Sequence, residues 1–125
     1  YLSSAAACGA AELEAWECGL ACERVPGMRD VRRVADQDYA SAAFVGRLRD
    51  RCVLAFRGAE GIEGWVHNLR ALSLMRLDGC SSGGRACRVG EGFLDGYRAL
   101  SGSIRRSLAE IGCSKSVPLS VTGFS

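Results

Sequence analysis

The 125 residues, with 48% hydrophobic and 24% charged side chains, have the composition of one globular domain or part of one, which excludes a disordered, collagen-like or low-complexity chain. Sixteen basic residues against fourteen acidic ones leave a formal charge of +2, so nothing in the balance calls for a nucleic-acid partner. Fifteen of the sixteen are arginines, spread along the chain with no basic stripe. No apolar run approaches the ~18 residues of a membrane-spanning helix. The chain opens on Tyr1 without an initiator Met or a signal-peptide pattern, which reads as a processed product or a fragment.

Taken in chain order, Leu2 to Leu20 is rich in Ala, Glu and Leu, with Leu13, Trp16 and Leu20 at helical spacing, and predicts one helix ended by Pro26-Gly27. Val31 to Val34 predicts a short strand. Ala42–Leu48 and Cys52–Phe56 are apolar runs separated by Arg49-Asp50-Arg51, and predict a hairpin whose second strand is buried on both faces. Gly61 to Leu72 carries Ile62, Trp65, Val66 and Leu69 at i, i+3, i+4, i+7, the stripe of a short amphipathic helix. Ser73 to Leu77 predicts a strand, and Asp78 to Gly84 a loop. Gly92 to Ile111 predicts the longest helix, with Phe93, Tyr97, Leu100, Ile104, Leu108 and Ile111 on one face and Gly112 at its stop. Val117 to Thr122 predicts a final strand. A helix joining two strands implies a βαβ crossover, and hence an α/β fold.

Seven cysteines stand out: Cys8, Cys18, Cys22, Cys52, Cys80, Cys87 and Cys113. Disulfides and a metal site are the two readings. Zinc needs four well-spaced ligands, whereas Cys80 and Cys87 are too far apart in sequence and His67, the single histidine, is near neither cysteine pair. Disulfides are therefore the expectation, and with them a secreted or lumenal protein. Cys80 with Cys87 would close a small ring around a Gly/Ser loop, and Cys18 with Cys22 a local staple. The odd count leaves a free thiol or a partner outside these residues.

The chain closes on Leu119-Ser120-Val121-Thr122-Gly123-Phe124-Ser125. A strand running into Gly-x-Ser is how a nucleophile elbow begins, although the triplet alone is common. Preceding it are Val53-Leu54-Ala55-Phe56-Arg57-Gly58, then Gly64-Trp65-Val66-His67-Asn68-Leu69, then Gly90-Glu91-Gly92-Phe93-Leu94-Asp95-Gly96-Tyr97 opening the long helix. In this order and spacing the series resembles the fungal-type (class 3) lipases of the α/β-hydrolase superfamily.

The resemblance implies an incomplete α/β-hydrolase fold, a mixed sheet with flanking helices. Residues 1–125 would be the N-terminal half of a lipase domain, truncated at the elbow. It further implies that Ser125 is the nucleophile, that the backbone N–H of Ala59 lines the oxyanion hole, and that Ile62, Trp65, Val66 and Leu69 belong to a lid helix that opens at a lipid–water interface. Cys8 matches a position that bridges to the far C-terminal end, while Cys52 and Cys113 are left as buried thiols. Two positions depart from the family pattern. Ala59 stands where a hydroxyl residue is usual, and Phe124 where histidine is. The expected activity is carboxylic-ester hydrolysis through an acyl-serine, most simply of triacylglycerols, with no metal or organic cofactor. A feruloyl or other non-lipid esterase on the same scaffold, and a non-catalytic cysteine-rich secreted module, are the alternatives. The catalytic acid and histidine should follow the serine in an α/β-hydrolase, so these 125 residues alone are expected to be inactive. Glu91 and Asp95 read as structural, and His67 as a residue on the polar face of its helix. Secretion, or an endomembrane or vacuolar lumen, is the expected location.

Overall fold

The computed structural model describes residues 1–58 and 73–124. Three short helices, α1 (Leu2–Ala5), α2 (Ala10–Glu14) and α3 (Leu20–Glu23), precede a run of three strands: β1 (Met28–Asp36), β2 (Ser41–Leu48) and β3 (Arg51–Phe56). A hairpin of β4 (Leu74–Ser82) and β5 (Arg85–Gly90) leads into the long helix α4 (Glu91–Glu110), and β6 (Leu119–Gly123) follows. The main sheet has the order β1-β2-β3-β6. The first three strands are antiparallel neighbours, and β6 lies parallel to β3.

Residues of β2 and β3 alternate between two cores, as the pleat requires. Phe44, Val53 and Ala55 point to one face, where Ala5, Leu13 and Cys22 of the short helices cover them. Ala43, Val45 and Leu54 point to the other, where Leu100 and Ile104 of α4 pack, together with Ile111 just past its end. The sheet is thus the middle layer between two helical layers. This is why Cys52–Phe56 reads as an almost unbroken apolar run: both of its faces are inside.

The expected single helix from Leu2 to Leu20 is three helices instead. Cys8 is bonded to Cys18 with Cα atoms 6.2 Å apart, whereas ten residues of continuous helix would separate them by about 15 Å. The chain therefore has to fold back, and it does so at Trp16 and Gly19, with φ of +59° and +55°. The indole of Trp16 meets the ring of Phe44 edge-on at 5.6 Å, and its Nε1–H donates to the Val25 carbonyl at 2.9 Å. Tertiary packing overrides the helical propensity of this segment.

The cysteine expectations change accordingly. Cys18 is bonded to Cys8, so the Cys18–Cys22 staple does not form and Cys8 is not left for a distant C-terminal partner. Cys22 is the free thiol, buried among the short helices. Cys52 and Cys113, expected as thiols, are bonded to each other with Cα atoms 6.1 Å apart. The strand start and the segment after α4 meet there because Cys52 N–H donates to the Pro118 carbonyl at 2.8 Å and Arg47 donates to the Ile111 carbonyl at 3.2 Å. Cys80 and Cys87 are bonded across the β4–β5 hairpin, 5.4 Å apart at Cα.

Two element expectations are also corrected. The loop predicted from Asp78 to Gly84 is mostly strand: β4 runs on to Ser82 and turns at Gly83-Gly84, both with positive φ, the two-residue turn that matches strand twist. Gly79, at φ +74°, sits in the register irregularity between Arg76 and Ser81. Nor is the strand before α4 the parallel partner of the strand after it. Among the described residues β4 pairs only with β5, and most of its side chains are exposed, whereas the apolar β3 takes β6.

Closing the 61-residue separation between Cys52 and Cys113 is worth about 4 kcal/mol by chain entropy. Replacing both cysteines with alanine is expected to lower the unfolding free energy of the intact protein by roughly 2–4 kcal/mol in urea titration. Cys22 provides a second expectation. Burial raises its thiol pKa above the ordinary value, with a weaker opposing effect from the Cys18 backbone. Folding therefore favours the protonated thiol, a contribution present below pH 9 and lost as pH rises through the higher folded value. Alkylation without reductant should leave native Cys22 unmodified and label it, but none of the six bonded cysteines, after unfolding.

Candidate functional site at the end of two parallel strands

β3 and β6 run side by side from Cys52 opposite Leu119 to Phe56 opposite Gly123, so their C-terminal ends emerge on the same rim of the sheet. In an open sheet with parallel strands this is the rim where ligands are bound, because successive loops leave it together. The end of β3 is tied down by Arg57, whose backbone N–H donates to the Ala42 carbonyl and whose guanidinium donates to the Ala40 carbonyl, each at 2.9 Å.

Beyond the ladder the two chains approach more closely still. A Cβ at Gly58 would stand 2.9 Å from the Phe124 carbonyl oxygen and 3.0 Å from its ring. Real Cβ atoms do not come so near a backbone oxygen, so the approach depends on glycine. Its φ is not in the left-handed region, and what glycine supplies here is space. The N-terminal half of α4 reaches the same rim: the rings of Tyr97 and Phe56 are 6.5 Å apart. A Cβ at Gly96 would meet the Ser41 hydroxyl at 2.6 Å, so glycine also lets the helix lie close to β2. Phe93, Tyr97 and Phe124 are 54%, 45% and 69% exposed, which makes this rim apolar on its outer side.

Ser125, Ala59, Ile62, Trp65, Val66, Leu69 and His67 all lie outside the described residues. The structure does place the residues that flank the first two: Gly58 and Phe124 are in contact. Glu91 and Asp95 take ordinary structural roles. The Glu91 backbone N–H donates to the Ser73 carbonyl at 2.8 Å, and Asp95 pairs with Arg98 one helical turn on, at 3.7 Å. Among the described residues, no group of three or more His, Cys, Asp or Glu side chains converges as a metal site, and no helix is long and apolar enough to cross a membrane.

The sequence reading overlooked Gly58 as a site residue and took it only for the end of a strand. The available signal was a glycine directly after an apolar strand, where close backbone approach is one of the standard reasons for the residue.

No protein-family model matches the chain, and no curated protein does. Solved structures do. A fungal lipase determined in complex with an inhibitor superposes with a TM-score of 0.71 at 22% identity, over 98% of this chain and 45% of the lipase. A triacylglycerol lipase whose catalytic centre is a serine-protease triad superposes with a TM-score of 0.75 at 23% identity, over 99% of this chain and 46% of its own. The chain therefore carries part of the α/β-hydrolase fold of these lipases and spans less than half their length.

Gly58→Ala should push the ends of β3 and β6 apart. In the intact protein the expected loss is about 1–3 kcal/mol, the range for overpacking a close contact, read from denaturant unfolding. Unchanged stability would mean that the approach is not a constraint.

Proposed function

We propose that this chain is the front part of a secreted serine ester hydrolase of the lipase type, with Ser125 as its nucleophile. The observation that carries the reading is the convergence of Gly58 and Phe124 at the end of the parallel β3–β6 pair. Acyl transfer needs a nucleophile and an oxyanion donor within a few ångströms of one reacting carbonyl. Ser125 follows Phe124 and Ala59 follows Gly58, so contact between the two flanking residues favours that proximity.

In this mechanism the Ser125 hydroxyl adds to the ester carbonyl while a histidine removes its proton. The carbonyl oxygen becomes an oxyanion and accepts a hydrogen bond from the Ala59 backbone N–H, with the N–H of the residue after the serine as the second donor. Collapse of the intermediate breaks the ester C–O bond, and the histidine returns the proton to the departing alcohol. Water then repeats the sequence on the acyl-serine. Alanine at position 59 contributes only its backbone, so the hole lacks the extra side-chain donor expected of a hydroxyl residue.

One of the lipases that this chain superposes on has a serine-protease triad at its catalytic centre and is about twice as long. A parent protein of that length would supply the acid and the histidine from beyond residue 125, and residues 1–125 alone would be inactive. The helix carrying Ile62, Trp65, Val66 and Leu69 would serve as a lid that opens on a lipid surface. The three disulfides support an oxidising, extracellular or lumenal location.

The test is Ser125→Ala in the intact protein. Hydrolysis of a nitrophenyl butyrate ester should fall by about 10⁴-fold or more, and an alkyl phosphonate should label Ser125 of the wild type. Undiminished turnover in the variant, or labelling at another serine, would remove this assignment.

A further inference from the structure

At the other end of the sheet, away from the proposed elbow, a cleft of about 340 Å³ opens between the end of α3 and the β2–β3 turn. Val25, Pro26 and Leu48 form an apolar wall, and Arg24, Arg49, Arg51 and Asp50 complete the lining. Three arginines and one aspartate are among the residues that line it, a formal excess of two positive charges. Asp50 lies 4.0 Å from Arg51, and Arg51 also reaches the Ser120 hydroxyl at 3.3 Å. The side chains of Arg24 and Arg49 have no hydrogen bond or ion pair among the described residues.

The turn provides an independent observation. Arg49 has φ +56°, the left-handed region that suits glycine and strains a side chain. It occupies the first position of a two-residue hairpin turn between Leu48 and Arg51, where a glycine would fit with less strain. The strained turn is held from outside by Arg29, which donates to the Arg49 carbonyl at 3.5 Å. Arg49 thus keeps a long charged side chain where the backbone favours glycine, and that side chain is left available to a ligand.

We propose that this cleft binds a phosphate monoester group, clasped by Arg24, Arg49 and Arg51, with the organic part of the ligand against Val25, Pro26 and Leu48. Two unbalanced positive charges match the nearly dianionic phosphate monoester better than a carboxylate. Guanidinium groups engage phosphate oxygens in pairs, which a point charge does not do. The cleft opens at the Arg51 end of β3 and the proposed elbow at the Phe56 end, five residues and roughly 17 Å along the strand. The occupant is thus a separate ligand and not the ester being cleaved.

Arg49→Gly makes the test sharp, because it removes the guanidinium while relaxing the turn. In the intact protein, inorganic phosphate titrated by calorimetry at constant ionic strength should bind saturably to the wild type. Binding should weaken at least tenfold in Arg49→Gly and in Arg24→Ala, with the melting temperature of Arg49→Gly unchanged or raised. Sedimentation with phosphatidate or phosphatidylcholine vesicles separates the two sources of the group. Recruitment of the wild type by phosphatidate alone, lost in Arg49→Gly, identifies a lipid headgroup, and phosphate binding without recruitment identifies a soluble ligand. Phosphate binding that survives in both variants, or a response that sodium chloride reproduces at equal ionic strength, would overturn the proposal. Neither outcome depends on Ser125, so the site stands or falls independently of the hydrolase reading.

Discussion

Burial of β2 and β3 on both faces is the constraint on which the rest of the architecture depends. Phe44 and Val45 are adjacent in sequence and wholly inaccessible, yet they belong to different cores. A strand in that position cannot present a polar face, and it needs a helical layer on each side. The short N-terminal helices and α4 are those layers. Burial of each large side chain is worth about 1.5–3 kcal/mol. Among the described residues no polar or charged side chain is fully buried, so the two cores are apolar throughout.

The same constraint fixes where chemistry can occur. With its faces covered, the sheet offers its strand ends. Parallel pairing of β3 and β6 brings two such ends to one rim, and glycine at position 58 removes the last obstacle to their contact. Beyond β3 the order changes character. Leu119 and Val121 of β6, and Phe124 just after it, are 46%, 59% and 69% exposed. The side of the sheet that the two cores cover is β1 to β3, and the catalytic proposal sits at the border between the covered and uncovered strands.

Disulfides act where packing is thinnest. Cys8–Cys18 holds a segment whose helices are each five residues or fewer, too short to persist alone. Cys80–Cys87 holds a two-stranded hairpin, which is marginal in water without further support. Cys52–Cys113 differs, because it joins the buried start of β3 to the segment leading into β6 and so helps to set the parallel register itself.

Periodicity and turn chemistry were enough to read the hairpin of β2 and β3, the long amphipathic α4 and the final strand from the sequence. Each of these signals is local: an apolar run of strand length, a stripe recurring every three to four residues, a glycine at a helix stop. The Phe-Arg-Gly strand end and the closing Gly-Phe-Ser are local as well, and they located the rim without revealing that Gly58 touches Phe124. What only the tertiary structure decided is long-range. A helical pattern from Leu2 to Leu20 gave no sign that Cys8 would fold back on Cys18, since the competing energy comes from Phe44, 28 residues beyond Trp16. The pairing of seven cysteines likewise depends on which ones the folded sheet brings together. Cys52 and Cys113 meet at the end of the sheet where β3 and β6 begin side by side, a contact that no spacing rule in the chain encodes.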